Sequence, residues 1–215
     1  MLRHLKLALL GSLVCAACGG REGTPPLPLP QIKGPDGREY LLLDRGAYKG
    51  FYDKWGRLER IEYDSNGDGR PDNIAHHKGE KSPRLLEVDD DFDGRTDRWD
   101  EFDAAGRLVK VGLSRRRSGT PDLWVTPGPG DLPAKKEYDD DGDMRVDRTE
   151  ILQRGLLTRA ELDTNKDGRP DRWQDWSTGR LTHEDLDTDG DGKADSRIVY
   201  NQYGRVLKLE SLRSE

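Results

Sequence analysis

Aspartate is the residue that could do chemistry in this sequence, because it recurs in a fixed pattern: Asp, any, Asp or Asn, any, Asp, usually Gly, two more residues, Asp. The complete copies are Asp64, Asn66, Asp68 and Asp72; Asp89, Asp91, Asp93 and Asp97; Asp139, Asp141, Asp143 and Asp147; Asp163, Asn165, Asp167 and Asp171; and Asp187, Asp189, Asp191 and Asp195. Three or four carboxylates confined to nine residues repel one another unless a cation sits among them. Their oxygens are the hard donors that Ca²⁺ takes, six to eight at about 2.3–2.6 Å. The pattern therefore implies calcium as cofactor, with binding linked to folding. One such loop alone reads equally well as a solvated Asp/Gly turn. Repetition in register favours the ion.

The copies begin at 64, 89, 139, 163 and 187, and a degenerate copy at 114 fills the gap, so every step is 24 or 25 residues. In it Ser114, Arg115, Arg116, Arg117 and Ser118 replace the acidic run, while Gly119, Pro121, Asp122 and Trp124 are kept. It reads as a metal-free turn, either with a guanidinium where the ion would be or as a decayed repeat. His76 and His77 are adjacent and lack a third ligand, which reads as a solvated pair rather than zinc. Trp99, Trp124 and Trp173 each follow a loop's last Asp by two residues, a shared position that suits packing between repeats better than carbohydrate stacking. No nucleophile motif or phosphate loop appears. The expectation is a protein that is not an enzyme, with a calcium-dependent hydrolase as the weakest alternative.

The iterated motif resembles the EF-hand-like loops of thrombospondin type 3 and dockerin repeats, from about Asp64 to Asp195. The resemblance implies side-chain ligands at loop positions 1, 3, 5 and 9, a glycine at 6 and a backbone carbonyl at 7. Those carbonyls would belong to Arg70, Arg95, Arg145, Arg169 and Lys193, whose basic side chains would swing outward and offset the acids. Position 12, a bidentate Glu in an EF-hand, holds Ala75, Asp100, Glu150, Gln174 and Ile198. Only Glu150 matches, so the implied affinity is weak, on the order of 10⁻⁴ to 10⁻³ M as in extracellular modules. Met144 stands where the other copies have glycine.

The elements that must hold these loops are short. Between them runs a second motif, an aromatic, turn residues, Gly, a basic residue and an aliphatic: Phe51 to Leu58, Phe102 to Leu108, Trp176 to Leu181 and Tyr200 to Val206. It reads as a hairpin corner, and it is similar to the YD-repeat of bacterial surface proteins. Alternate apolar residues after it, as in Ile61 and Tyr63 or Val109, Val111 and Leu113, predict strands. The expected fold is all-β: a quasi-linear array of 24–25-residue repeats, each one calcium loop plus one β-hairpin, over 64–215. Residues 38–63 read as an N-terminal capping hairpin.

At the N-terminus Arg3, Lys6 and the apolar stretch Leu7 to Val14 read as a signal peptide over 1–17. Small residues then precede Cys18, which resembles the lipobox of bacterial lipoproteins and implies lipidation of Cys18. An ordinary cleaved signal with an incidental cysteine is the alternative. Residues 18–37, rich in Pro and Gly, read as a tether. The charge of −6 is bunched on acids, which points to cations and away from nucleic acid. With 32% hydrophobic residues a large core is not expected. The expected role is a calcium-stabilised spacer or binding module on the bacterial envelope, anchored to the membrane by lipid, with outer membrane or cell surface as its place. An adhesin or docking protein for a protein or polysaccharide partner is the alternative.

Overall fold

The computed structural model describes residues 29–34 and 36–213. The signal segment 1–17 and Cys18 lie outside them. The strands are β1 Gln31–Lys33, β2 Glu39–Asp44, β3 Tyr48–Tyr52, β4 Leu58–Tyr63, β5 Asn73–His76, β6 Leu85–Val88, β7 Arg98–Phe102, β8 Leu108–Leu113, β9 Leu123–Pro127, β10 Pro133–Tyr138, β11 Arg148–Gln153, β12 Leu156–Leu162, β13 Arg172–Ser177, β14 Arg180–Leu186, β15 Ser196–Tyr200 and β16 Val206–Ser211. A single 3₁₀ turn, Pro129–Asp131, is the only helical element among the described residues.

All sixteen strands form one sheet in chain order from β1 to β16, and every neighbouring pair is antiparallel. This is the all-β linear array expected, an open meander adding two strands per repeat. The sheet carries little core. Tyr40, Phe51, Val88, Tyr138 and Ala160 are the buried hydrophobic residues, and no described side chain is wholly enclosed. Cohesion rests on backbone ladders and on rows of side chains running across the strands. One row passes through Ile61, Ala75 and Leu86, then Val111 and Val125, and later Ile198 and Leu209. In the row beside it Trp99, Gly112 and Trp124 stand opposite one another. A Cβ at Gly112 would lie 3.5 Å from Trp99, a contact within one repeat rather than between two.

A meander turns at alternate ends of its strands, and the repeat period uses this. The segments 64–72, 89–97, 114–122, 139–147, 163–171 and 187–195 each join an even strand to the next odd one. All six loops therefore share one end of the sheet, about 10 Å apart, since two strand spacings of roughly 4.8 Å separate them. The corners occupy the other end. In two of them a carboxylate holds the turn: Asp53 accepts from the N–H groups of Trp55 and Arg57 and pairs with Arg57 Nε at 2.7 Å, and Asp103 does the same with Ala105 and Arg107. Arg154–Gly155 and Thr178–Gly179 are two-residue corners with positive φ at both positions, which gives the strands their matching twist. After six of the corners one extra residue bulges out of register: Glu59, Val109, Ala134, Thr158, Thr182 and Leu207. Thr158 and Thr182 each donate their hydroxyl to a carbonyl on the facing strand.

The N-terminal region departs from expectation. The tether expected over 18–37 includes β1, paired with β2, and the cap expected as one hairpin over 38–63 is three strands, β2 to β4. The reason is local. Pro30 cannot donate, but its carbonyl accepts from Leu42 N–H at 2.9 Å, which is all an edge position requires. Tyr40 and Phe51 pack edge to face at 5.9 Å, and Arg60 lies over the Phe51 ring.

Candidate metal sites

The six loops share one backbone design. The ninth residue closes each by donating its N–H to the carbonyl just before the loop, as Asp72 does to Tyr63 and Asp195 to Leu186. Its own carbonyl accepts from the first residue of the next loop: Asp72 from Asp89, Asp97 from Ser114, Asp122 from Asp139, Asp147 from Asp163 and Asp171 from Asp187. The loops are thus stitched into a ladder that continues the sheet.

Within a loop the carboxylates organise the chain. In the first, Asp64 accepts from the N–H groups of Gly67 and Gly69, Asn66 from Asp68, Asp68 from Arg70, and Asp72 from Ser65 and Asn66. The other acidic loops repeat most of these bonds. Asp72 is held below the usual carboxylate range: burial pushes it up, but the Ser65 hydroxyl and the N–H groups of Ser65 and Asn66 outweigh this, and Asp195 is lowered too. At Asp195 the Thr188 hydroxyl acts most strongly, followed among the lowering contacts by Arg213.

Three loops gather positions 1, 3 and 9: Asp89, Asp91 and Asp97; Asp139, Asp141 and Asp147; Asp187, Asp189 and Asp195. In each triad one oxygen per residue lies within 4.8 Å of the others, with one residue buried, one half-buried and one exposed. That span fits a single ion, because donors on opposite sides of calcium are about 4.6–5.2 Å apart. In the first triad Asp89 Oδ1 is buried with no hydrogen-bond partner, the only carboxylate oxygen so placed among the described residues. A buried anionic oxygen left bare is costly unless a cation or water reaches it. These three clusters can hold a metal ion.

The remaining expected ligands fall elsewhere. Position 5 is outside the triads: Asp93, Asp143 and Asp191 accept from the N–H groups of Arg95, Arg145 and Lys193. In the loops starting at Asp64 and Asp163 the third position is Asn, and Asn66 and Asn165 donate to Asp68 and Asp167, while Arg169 N–H is held by Asp167 and Asp171 accepts from Thr164 and Asn165. Glu150 is not in a triad. It sits on β11, accepting from Tyr138 Oη at 3.0 Å and bonded to Arg148, because the twelfth position has already entered a strand.

The degenerate loop keeps the shared backbone and brings its own cation. Asp122 accepts from the N–H groups of Arg115 and Arg116 at 3.0 and 3.2 Å and from Arg115 Nε at 2.9 Å. Burial opposes ionisation there, but Arg115 holds Asp122 low. The Arg115 side chain thus takes the place on the ninth Asp that the position-2 hydroxyls of Ser65, Thr164 and Thr188 take in other loops. Each triad also meets a basic side chain from the following repeat or segment. Arg117 reaches Asp91 at 3.1 Å, Lys166 reaches Asp141, and Arg213 reaches Asp189 at 2.8 Å and Asp195 at 3.0 Å. These three cations, and the position-2 hydroxyls of Ser65, Thr164 and Thr188 that donate to the ninth Asp, escaped the sequence reading, which left positions 2 and 4 unassigned. Ser or Thr at position 2 in three of six copies was the available signal.

The sixth-position glycines share a positive φ, and at two of them a neighbouring side chain adds to it. Gly94 and Gly119 have φ of 86° and 79°. Arg70 and Arg95, seventh residues of the preceding loops, also lie where a side chain would stand, 2.8 Å from a Cβ at Gly94 and 3.4 Å from one at Gly119. Met144 takes the same left-handed conformation at φ 69°, with its side chain exposed.

No family model and no curated protein matches the chain. Among solved structures, part of it resembles a mutant of S. aureus TarM in complex with fondaparinux, alpha-GlcNAc-glycerol and UDP, with TM-score 0.29 and 7% identity over 55% of this chain and 21% of that one. Another is the accessory secretory protein 1, 2 and 3 structure from Streptococcus pneumoniae, with TM-score 0.25 and 14% identity over 49% of this chain and 18% of that one. The chain spans about a fifth of the length of either, and likenesses this slight carry no argument.

Proposed function

We propose that this is a non-enzymatic calcium-binding repeat protein, held at the bacterial envelope through a lipid on Cys18 and serving as a calcium-stiffened spacer or binding module. The observation that carries the reading is the bare Asp89 Oδ1 inside an all-carboxylate triad. A hard dication supplies the charge that the loop's own N–H groups leave unmatched. The residues that would hold it are the three triads, with weaker binding in the two loops whose third position is Asn66 or Asn165. The bases at Asp91, Asp141 and Asp189 partly neutralise the triads, in keeping with affinities on the order of 10⁻⁴ to 10⁻³ M.

Calcium titration of the chain by calorimetry tests this, with circular dichroism and protease sensitivity followed in parallel. The expected result is a stronger class of three ions and a weaker class of two, with melting raised by calcium and much less by magnesium. Asp89→Asn should remove one ion of the stronger class. No calcium uptake, or uptake untouched by Asp89→Asn, would leave the loops as self-capped turns.

A further inference from the structure

The fourth residue of every loop has a left-handed backbone: Gly67, Phe92, Arg117, Gly142, Lys166 and Gly190 have φ between 55° and 92°. Glycine takes this conformation freely, whereas any other residue is strained in it. Two of the three exceptions are bases, and their placement is selective. Arg117 lies one repeat after the triad of Asp89, Asp91 and Asp97, and Lys166 one repeat after that of Asp139, Asp141 and Asp147. Where the third residue of the preceding loop is Asn66, Arg116 or Asn165, the fourth position holds Phe92, Gly142 or Gly190 instead. Each base spans the gap of about 10 Å between neighbouring loops and lands on the third-position acid. Arg117 Nη1 is 3.1 Å from Asp91 Oδ2, and Lys166 Nζ bonds Asp141 Oδ2. The backbone under both bases is fixed. Lys166 N–H donates to Asp163 at 2.7 Å, Arg117 N–H to the Ser114 carbonyl at 3.1 Å, and Arg95 Nη1 to the Arg117 carbonyl at 3.2 Å. Arg117 does not complete its triad, because Asp89, only 8% exposed, keeps its Oδ1 without a partner.

We propose, resting on the calcium reading above, that Arg117 and Lys166 are tethered rivals of the ion. Each holds the preceding triad while no ion is bound and is displaced when calcium enters. A base on Asp91 or Asp141 and a dication among the same carboxylates are like charges sharing one ligand, so the two states exclude each other. The fourth-position base therefore lowers the affinity of the loop before it, and the next repeat sets how much calcium that loop needs. Ion entry exchanges a contact between two repeats for one within a loop.

Two measurements on the full chain test this, with far-UV circular dichroism to confirm that each variant keeps its strands. Without any substitution, a zero-length carbodiimide should join Lys166 to Asp141 in chelator, read as a 141–166 linked peptide by mass spectrometry. Millimolar calcium should suppress that link severalfold and leave the link between Lys135 and Glu137 unchanged. By calorimetry, Arg117→Asn should tighten about threefold the ion that Asp89→Asn removes, which is the worth of one exposed ion pair. Lys166→Asn should do the same for the ion lost in Asp139→Asn. Asparagine removes the charge and still tolerates the left-handed backbone. Arg117→Lys should stay near the parent affinity, and Lys110→Gln, which removes a base from β8, should tighten neither site. Calcium uptake with no 141–166 link in chelator, with a link that persists in calcium, or with affinities indifferent to Arg117→Asn and Lys166→Asn would overturn the rivalry and leave the calcium reading standing. Equal tightening by Lys110→Gln would overturn it too, as an effect of net charge. No calcium uptake by any variant would remove the calcium reading and the rivalry with it.

Discussion

Replacing Asp122 with Ala separates the loop that carries its own cation from those proposed to bind metal. Asp122 is 3% exposed and accepts two backbone N–H bonds, from Arg115 and Arg116, and a third from Arg115 Nε. Hydrogen bonds to a charged partner contribute about 1.5–3 kcal/mol each, but these three share one carboxylate and are not additive. Arg115 is 37% exposed and can return to water, which discounts its part further. The expected loss is about 2–3 kcal/mol. For a folded region of this size that is a fall in melting temperature of about 5–10 °C, if it unfolds as a unit. In a linear array the damage concentrates in neighbouring repeats, so amide exchange should quicken mainly in β8 to β11. The assay is thermal unfolding in chelator and in millimolar calcium, with Asp97→Ala as the comparison. Asp122→Ala should cost the same in both, while Asp97→Ala should cost more with calcium. A loss under about 0.5 kcal/mol, or one that depends on calcium, would refute the guanidinium-for-ion account of this loop.

Met144→Gly should stabilise the chain by about 1 kcal/mol through relief of a left-handed backbone position, and should tighten calcium at Asp139, Asp141 and Asp147; unchanged melting and affinity would count against it. Acid should loosen the chain in chelator. Asp103, held low by the N–H and guanidinium of Arg107, and Asp122, held low by Arg115 against burial, both have folded pKa values below the unfolded one. Their contribution is therefore present above about pH 4 and is lost as pH falls through the folded values, and a circular dichroism titration that stays flat down to pH 2 would contradict this. Cys18→Ser should release the protein from the membrane fraction and abolish acyl labelling, whereas the same result from Cys15→Ser alone would move the anchor.

What the sequence determined by itself is what periodicity and local chemistry encode. A step of 24 or 25 residues, an acidic loop and a Gly-centred corner in each unit are enough to require two short strands per repeat and an all-β array. Asp and Gly act on the backbone within a few residues of themselves, so the loops at Asp64, Asp89, Asp139, Asp163 and Asp187, and the degenerate one at Ser114, were legible without the fold. The Pro-rich stretch before Gly37 misled because composition cannot show that Pro30 needs only its carbonyl to serve an edge. Tertiary structure decided everything that depends on what lies across a strand gap. It placed Glu150 on a strand with Tyr138 and Arg148 and set the fifth-position acids outside the triads. It also brought Arg117, Lys166 and Arg213 to acids 24 to 26 residues away. In a one-layer meander a residue's neighbours are one repeat distant in sequence and one strand pair distant in space. Spacing alone can therefore count the loops, but only the register of the sheet fixes which charge faces which.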